Sequence, residues 1–446
     1  MSSNISGNNS KKVLIVTYYW PPSGGGGVQR WLKFSKFLPA FGWQPIIYTP
    51  ENPAFDVHDA SLISDIQDEA IILKRKIWEP FGIYQKLRLG NKKNDLKQGV
   101  VNDKNNQSFL NSIVIWIRGN LFFPDPRKFW VGPSVAYLEA YIRENGIEFI
   151  ITTGPPHSMH LIGLKLKERF GTRLKWLVDF RDPWSQWDIL KELKTSSFIM
   201  SKHKRLERKV LKRADKVLTV SKSLANALSK LGDRKVEVIT NGIDPEDLKN
   251  KGIKRDKKFV ISHIGLMNEL RNPEKLWLAL NELCQEDEQF ENDLEIFLAG
   301  AVSAFILEKL KVDKNLREKV KYVKYLPHDK VFKQYSRSSI LLLLVNTTSN
   351  AKWILPGKAF EYIAMNRPIL TLGQQDIDLQ ELMTETGHAS FYAYTDKLSI
   401  KKFISEKYDE FKKESYEDYG SKSGKYDRKN LTKRLSEILN QAGKDQ

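Results

Sequence analysis

The chain alternates short runs of apolar, often β-branched residues with stretches in which apolar positions recur every three or four residues. The first runs are "VLIVTYY" from Val13, "PIIYT" from Pro45, "AIILKR" from Ala70, "FIITT" from Phe149, "WLVDF" from Trp176, "KVLTVS" from Lys216 and "VEVIT" from Val236. A second series follows: "FVISHIG" from Phe259, "LEIFLAG" from Leu294, "VKYVKYL" from Val320, "SILLLLV" from Ser339, "PILTLG" from Pro368 and "SFYAYT" from Ser390. Continuous apolar runs separated by amphipathic helices mark strands covered on both faces of a parallel sheet. Two such series predict an α/β chain built on two doubly wound sheets.

Polar stretches divide this pattern. Residues 1–11 are expected to be a disordered lead-in, since they lack the apolar core of a signal peptide. A first domain is placed at 12–246, with a mobile Asn- and Lys-rich loop at about 91–107. A charged linker at 247–258 leads to a second domain at 259–415. In the remaining 416–446, Leu431, Leu435, Ile438 and Leu439 keep helical spacing, which predicts a helix packing back on the first domain. The apolar run Phe109–Phe123 is cut by Arg118, Gly119 and Asn120, so no membrane-spanning helix is predicted.

Composition narrows the partners. With 446 residues and 41% hydrophobic content the chain has material for a large core. The single cysteine, Cys284, excludes an internal disulfide or a CxxC metal site, fits a reducing compartment, and reads as helix packing. A net charge of +18 calls for an acidic partner: nucleic acid, an anionic membrane surface or a phosphorylated substrate. No RRM, KH, zinc-finger or helix-turn-helix signature is present, so nucleic acid is not expected. The expected location is cytoplasmic, peripheral to the inner face of the membrane through the basic stretch at 201–216 and the aromatic, basic stretch at 116–130.

The candidate chemistry sits where strands end. "PPSGGGGVQR" puts four glycines between a strand and a helix, where backbone N–H groups can meet a phosphate or a closely approaching substrate. A Walker A loop would need Lys-Ser/Thr after its last glycine, and Val28 and Gln29 follow instead. A dinucleotide fingerprint would need glycine at position 29, which is Gln29. His157 follows the Phe149 strand, with Pro155 and Pro156 before it; His160 reads as packing. "DFRDPW" ends the next strand, with Asp179 read as a loop brace and Asp182 as a carboxylate to position or deprotonate an acceptor hydroxyl. In the second series Gly265 and Arg271 follow a strand. Pro356 and Gly357 open a helix that carries Lys358 and, one turn on, Glu361, which suits an anion at the helix N-terminus.

The segment from Pro21 to Thr49, with Gly26, Gly27, Val28 and Gln29 as a GGVQ signature, resembles retaining GT-B glycosyltransferases of the family 4 type, and "DFRDPW" resembles a subgroup acting in surface-polysaccharide synthesis. The resemblance covers about Val13 to Ile438 and implies two Rossmann-like domains facing a central cleft. It implies transfer from a UDP-type sugar donor to a glycan or lipid-linked acceptor with retention of configuration, by front-face attack in which the leaving phosphate helps deprotonate the acceptor. Neither metal nor cofactor is implied. Gly26 and Gly27 would approach donor diphosphate or acceptor, and His157 would touch the sugar near its reacting carbon. Gly265 would leave space beside the diphosphate, which Arg271 and Lys358 would hold; Glu361 would accept from the ribose hydroxyls, and the backbone at Leu326 would read the base. One position departs: Trp353 stands eight residues before Glu361, where the family has a second carboxylate, and Asn346 or Asn350 is the candidate substitute. A sugar-nucleotide epimerase of the same fold and an inactive membrane-associated scaffold stay open as alternatives.

Overall fold

The computed structural model describes residues 10–55, 57–80, 109–248, 256–348, 351–375, 378–388, 390–415 and 422–444. The expected lead-in before residue 10, the loop at 91–107, most of the 247–258 linker and Asn350 lie outside them. Two compact units divide the chain: residues 1–240 with 428–446, and residues 241–427. The division falls earlier than the 246 read from charge, because Asn241 and Ile243 already bond within the second unit, to the carbonyls of Leu355 and Tyr426. The chain returns to the first unit at Arg428 rather than 416.

The first unit holds β1 (Lys11–Val16), β2 (Trp43–Pro50), β3 (Ile71–Arg75), β4 (Phe149–Gly154), β5 (Lys175–Phe180), β6 (Lys216–Thr219) and β7 (Glu237–Val238). They form one parallel sheet in the order β3-β2-β1-β4-β5-β6-β7. Alternation decides which helix each strand residue meets. Val13 and Ile15 join a cluster with Trp31 and Phe34 of α1 (Gly26–Phe37) and Leu435 and Leu439 of a helix at Arg428–Lys444. The last helix thus completes the core that the first strand begins. On β2, Tyr48 stacks on Trp130 with centroids 4.8 Å apart.

The second unit holds β8 (Phe259–Ile264), β9 (Leu294–Ala299), β10 (Val320–Val323), β11 (Ile340–Leu344), β12 (Ile369–Leu372) and β13 (Phe391–Tyr392), parallel in the order β10-β9-β8-β11-β12-β13. Phe259 and Ile261 face a core with Leu276 and Cys284, while Val260 and Ile264 face another with Phe360 and Tyr362. Both sheets reverse their order once, between β1 and β4 and between β8 and β11. Ligands of open α/β sheets bind beyond the carboxyl ends of strands at such reversals.

Candidate active site

In the first unit the strands that flank the reversal, β1 and β4, are followed by the glycine loop and His157, and the neighbouring β5 is followed by Asp182. Gly25, at φ +83°, caps α1, and the Gly24 N–H donates to the Val57 carbonyl at 2.8 Å. A Cβ on Gly27 would stand 3.1 Å from the Tyr19 ring and 3.4 Å from an Arg181 nitrogen, so glycine there serves close packing. Gly26 has no neighbour within 4 Å of that position, so packing makes no demand for glycine. Arg181 joins the two loops: Nη1 donates to the Gly27 carbonyl at 2.7 Å, Nη2 to Pro155 and Nε to Gly154 at 3.3 Å.

His157 caps α2 (Ser158–Phe170) and lies flat on Trp184, with centroids 4.9 Å apart and planes 4° off parallel. Neither ring nitrogen has a partner of good hydrogen-bond geometry among the described residues. Burial, then His160, His203 and Arg181, push the His157 imidazole well below its usual range, and the nearby Pro183 carbonyl only partly opposes them. The ring is therefore neutral, with one nitrogen able to donate and one to accept. His160 is buried, shares a hydrogen bond with Thr152 Oγ1 at 3.0 Å, and is pushed to about 3, as a packing residue.

The two aspartates of DFRDPW separate as their surroundings require. Asp179 is fully buried and receives bonds from Arg30 at 2.9 and 3.1 Å, Trp31 Nε1 at 2.8 Å and Thr153 Oγ1 at 3.0 Å. Burial alone would raise its carboxyl, but Arg30 beside it holds it below the usual range. Asp182 is half-buried and accepts no hydrogen bond among the described residues. Desolvation raises its carboxyl, and the Arg181 guanidinium offsets only part of that.

Two residues that the sequence reading passed over hold this loop from behind. On α3 (Ser197–Arg213), His203 Nδ1 accepts from Trp184 Nε1 at 2.9 Å, and the Glu207 carboxylate accepts from the Ser185 N–H at 3.0 Å. Burial pushes Glu207 up to about 7. They lie among lysines and arginines, but 203, 207, 210 and 211 share one helix face, and Val210 and Leu211 are buried with them. That spacing was the available signal.

In the second unit, Gly265 follows β8, and Lys358 and Glu361 lie on α4 (Gly357–Ala364). A Cβ on Gly265 would stand 3.1 Å from Lys358 Cε and 3.5 Å from His263 Nε2, so these groups share one corner. Arg271 reaches it as well, donating from Nε to Asn346 Oδ1 at 2.6 Å; Asn346 follows β11 across the reversal. Burial, with Lys358 and Arg271 close by, pushes His263 down to about 4. Neither cation has a carboxylate partner among the described residues. Glu361 Oε2 accepts from the Tyr335 hydroxyl at 2.8 Å. Leu326 is half-buried against the core, and no contact joins it to this group among the described residues. At Trp353, Lys352 lies over the ring at 5.5 Å, and a tryptophan offers no acceptor in place of a carboxylate.

Residues 98–247 match the family model Glycosyltransferase Family 4. That match spans about a third of the chain, and the fold of the whole chain is of the GT-B type. Its fold is similar to that of sucrose-phosphate synthase from Thermosynechococcus elongatus, with a TM-score of 0.62 at 12% identity over 98% of this chain and 100% of that one. It is also similar to a mutant of S. aureus TarM in complex with fondaparinux, α-GlcNAc-glycerol and UDP, with a TM-score of 0.59 at 12% identity over 97% and 99%. The lipopolysaccharide outer core galactosyltransferase WaaB gives a TM-score of 0.54 at 12% identity over 97% and 99%. No curated protein matches the sequence. The matched residues include the DFRDPW loop and α3, whereas the Lys358 corner lies in the other unit.

Proposed function

We propose that the protein transfers a sugar from a nucleotide-sugar donor, a UDP-sugar, to a glycan or lipid-linked acceptor with retention of configuration. The observation that carries this reading is the corner of Gly265, Arg271 and Lys358: two cations without a carboxylate partner among the described residues, beside a helix N-terminus. Such a corner suits the charge that develops on a departing diphosphate, and fixed donors there supply what a divalent ion supplies elsewhere. Arg271 is oriented by Asn346, so its remaining donors meet the diphosphate without reorganisation. Glu361, steadied by Tyr335, keeps Oε1 for the ribose hydroxyls.

In the first unit a neutral His157 donates to a sugar hydroxyl near the reacting carbon, and Asp182, with its raised proton affinity, positions the acceptor hydroxyl. Retention follows if the leaving phosphate takes the acceptor proton on the same face. Polysaccharide or glycoconjugate synthesis is the setting that agrees with the name of one structural relative, the lipopolysaccharide outer core galactosyltransferase WaaB.

The test is incubation of purified protein with a panel of UDP- and GDP-sugars, with and without a membrane-lipid extract, read by mass spectrometry beside Lys358→Ala and Glu361→Ala. Acceptor-dependent release of one nucleotide, reduced at least a hundredfold by Lys358→Ala, is expected from the loss of a transition-state cation worth about 3 kcal/mol. Donor converted to its epimer without acceptor would replace the transferase with the epimerase. No turnover of any donor would mean that Trp353 has cost the site its activity.

A further inference from the structure

One face of the first unit has a chemistry that the transfer reaction does not use. Trp78, Trp116, Leu121 and Phe198 are 56%, 47%, 57% and 66% exposed, and Ile113 and Phe129 are exposed beside them. Contacts bring the elements that carry these residues together. Trp78 meets Phe129 edge-on at 4.8 Å, and Lys128 donates to the Leu121 carbonyl at 2.8 Å. The helix Phe109–Asn120, which carries Ile113 and Trp116, is docked by Asn120, whose Oδ1 accepts from the Ser196 N–H at 2.9 Å, two residues before Phe198. Phe123 lies edge-on to His203 of α3 at 4.7 Å.

Cations accompany the rings. Lys128 Nζ stands 5.1 Å from the Phe129 centroid, and Lys202 Nζ stands 4.4 Å from that of Phe198. The outward side of α3 continues with Lys204, Arg205 and Arg208, and the only acid on that helix, Glu207, is turned inward to Ser185. Large apolar side chains held out in water, with lysines at their edges, fit a boundary where rings sit at headgroup depth and ammonium groups reach phosphates. A nucleic acid would gain nothing from Ile113 and Leu121, and a neutral bilayer nothing from the cations. Among the described residues no helix is long and apolar enough to cross a membrane, so the contact is with the surface.

We propose that this face seats the protein on the surface of an anionic lipid bilayer. The proposal needs neither donor nor acceptor and stands apart from the transferase reading. Its test is sedimentation of the full chain with vesicles of phosphatidylcholine alone and of phosphatidylcholine with phosphatidylglycerol. Binding is expected to the anionic vesicles and to weaken with salt. Trp116→Ser with Phe198→Ser, and separately Lys202→Gln, Lys204→Gln and Arg205→Gln together, should each lower it at least tenfold, since a juxtamembrane cation contributes roughly fivefold. The control Lys309→Gln, Lys311→Gln and Lys402→Gln removes as many exposed cations from the other unit and should leave binding unchanged. Fluorescence should be quenched by brominated lipid in the wild type and much less in Trp78→Phe with Trp116→Phe. Equal loss in the control would reduce the effect to net charge. Absence of anionic binding, or a dimer abolished by the Trp116 and Phe198 changes, would overturn the proposal, the dimer in favour of a second copy on this face. Melting temperatures of all variants, whose changes are at exposed positions, separate these outcomes from misfolding.

Discussion

Glu207 is a carboxyl kept in the fold at an energetic cost. Its pKa stands at about 7 against an ordinary 4.5, because burial outweighs the N–H groups of Ser185 and Trp184 that favour the charged form. Between those two values the folded chain holds a proton that the unfolded chain has released, so stability contributed at low pH is lost as pH rises through about 7. Glu207→Gln keeps an acceptor for Ser185 and removes the titration. We expect its denaturation free energy to gain on the wild type by on the order of 2 kcal/mol between pH 4 and pH 8. Parallel pH profiles for the two proteins would show that Glu207 ionises normally. The same residue shows what was legible in the sequence. Asp182 and His157 stand out as candidates because they follow strand ends, where α/β sheets present their chemistry. Glu207 and His203 do not, since a helix with seven lysines and arginines reads as a solvated face until its one buried stripe is counted.

At the scale of elements, the strands were the most legible part, because residues of a parallel sheet covered on both sides form unbroken apolar runs. The edges were less so: "VEVIT" and "SFYAYT" shrink to two paired residues each, as β7 and β13, where a neighbour exists on one side only. What no pattern revealed was that the loops after β8 and β9 lock together. Gly300, at φ +109°, would carry a Cβ 2.5 Å from the Gly265 carbonyl oxygen. Gly300→Ala should therefore destabilise the second unit by about 2 kcal/mol or more and, by displacing the loop beside Lys358, raise the KM for donor. Gly26→Ala is the contrast, since a Cβ there meets nothing within 4 Å. Its melting temperature should stay within about 2 °C of wild type, and a loss of transfer would then report on substrate rather than folding. If Gly26→Ala unfolds the chain, the glycine serves the fold after all.

For the whole molecule, the second unit is inserted into the first, between Thr240 and Arg428. The helix Arg428–Lys444 gives Leu431, Leu435, Ile438, Leu439 and Ala442 to the core formed by Trp31, Phe34 and Phe149. Truncation after Asp427 should accordingly loosen the distant first unit rather than the adjacent second one. Hydrogen exchange should rise across β1 and α1 while β8 and β11 keep their protection; the reverse pattern would mean that the helix belongs to the second unit. The sequence showed the apolar stripe of this helix and led to the expectation that it returns to the first domain, but not that Trp31, Phe34 and Phe149 are what it covers, because a stripe records that a surface is covered and not by what.

The insertion also sets an order of assembly during synthesis. When β7 has left the ribosome, the first unit has its whole sheet but lacks the helix that covers Trp31 and Phe149, and residues 241–427 are still to be made. At roughly 5–20 residues per second, that exposed apolar face waits on the order of ten seconds or more. Meanwhile the second unit, continuous in sequence, is free to finish first, so the nascent chain matures from its middle and closes its beginning last.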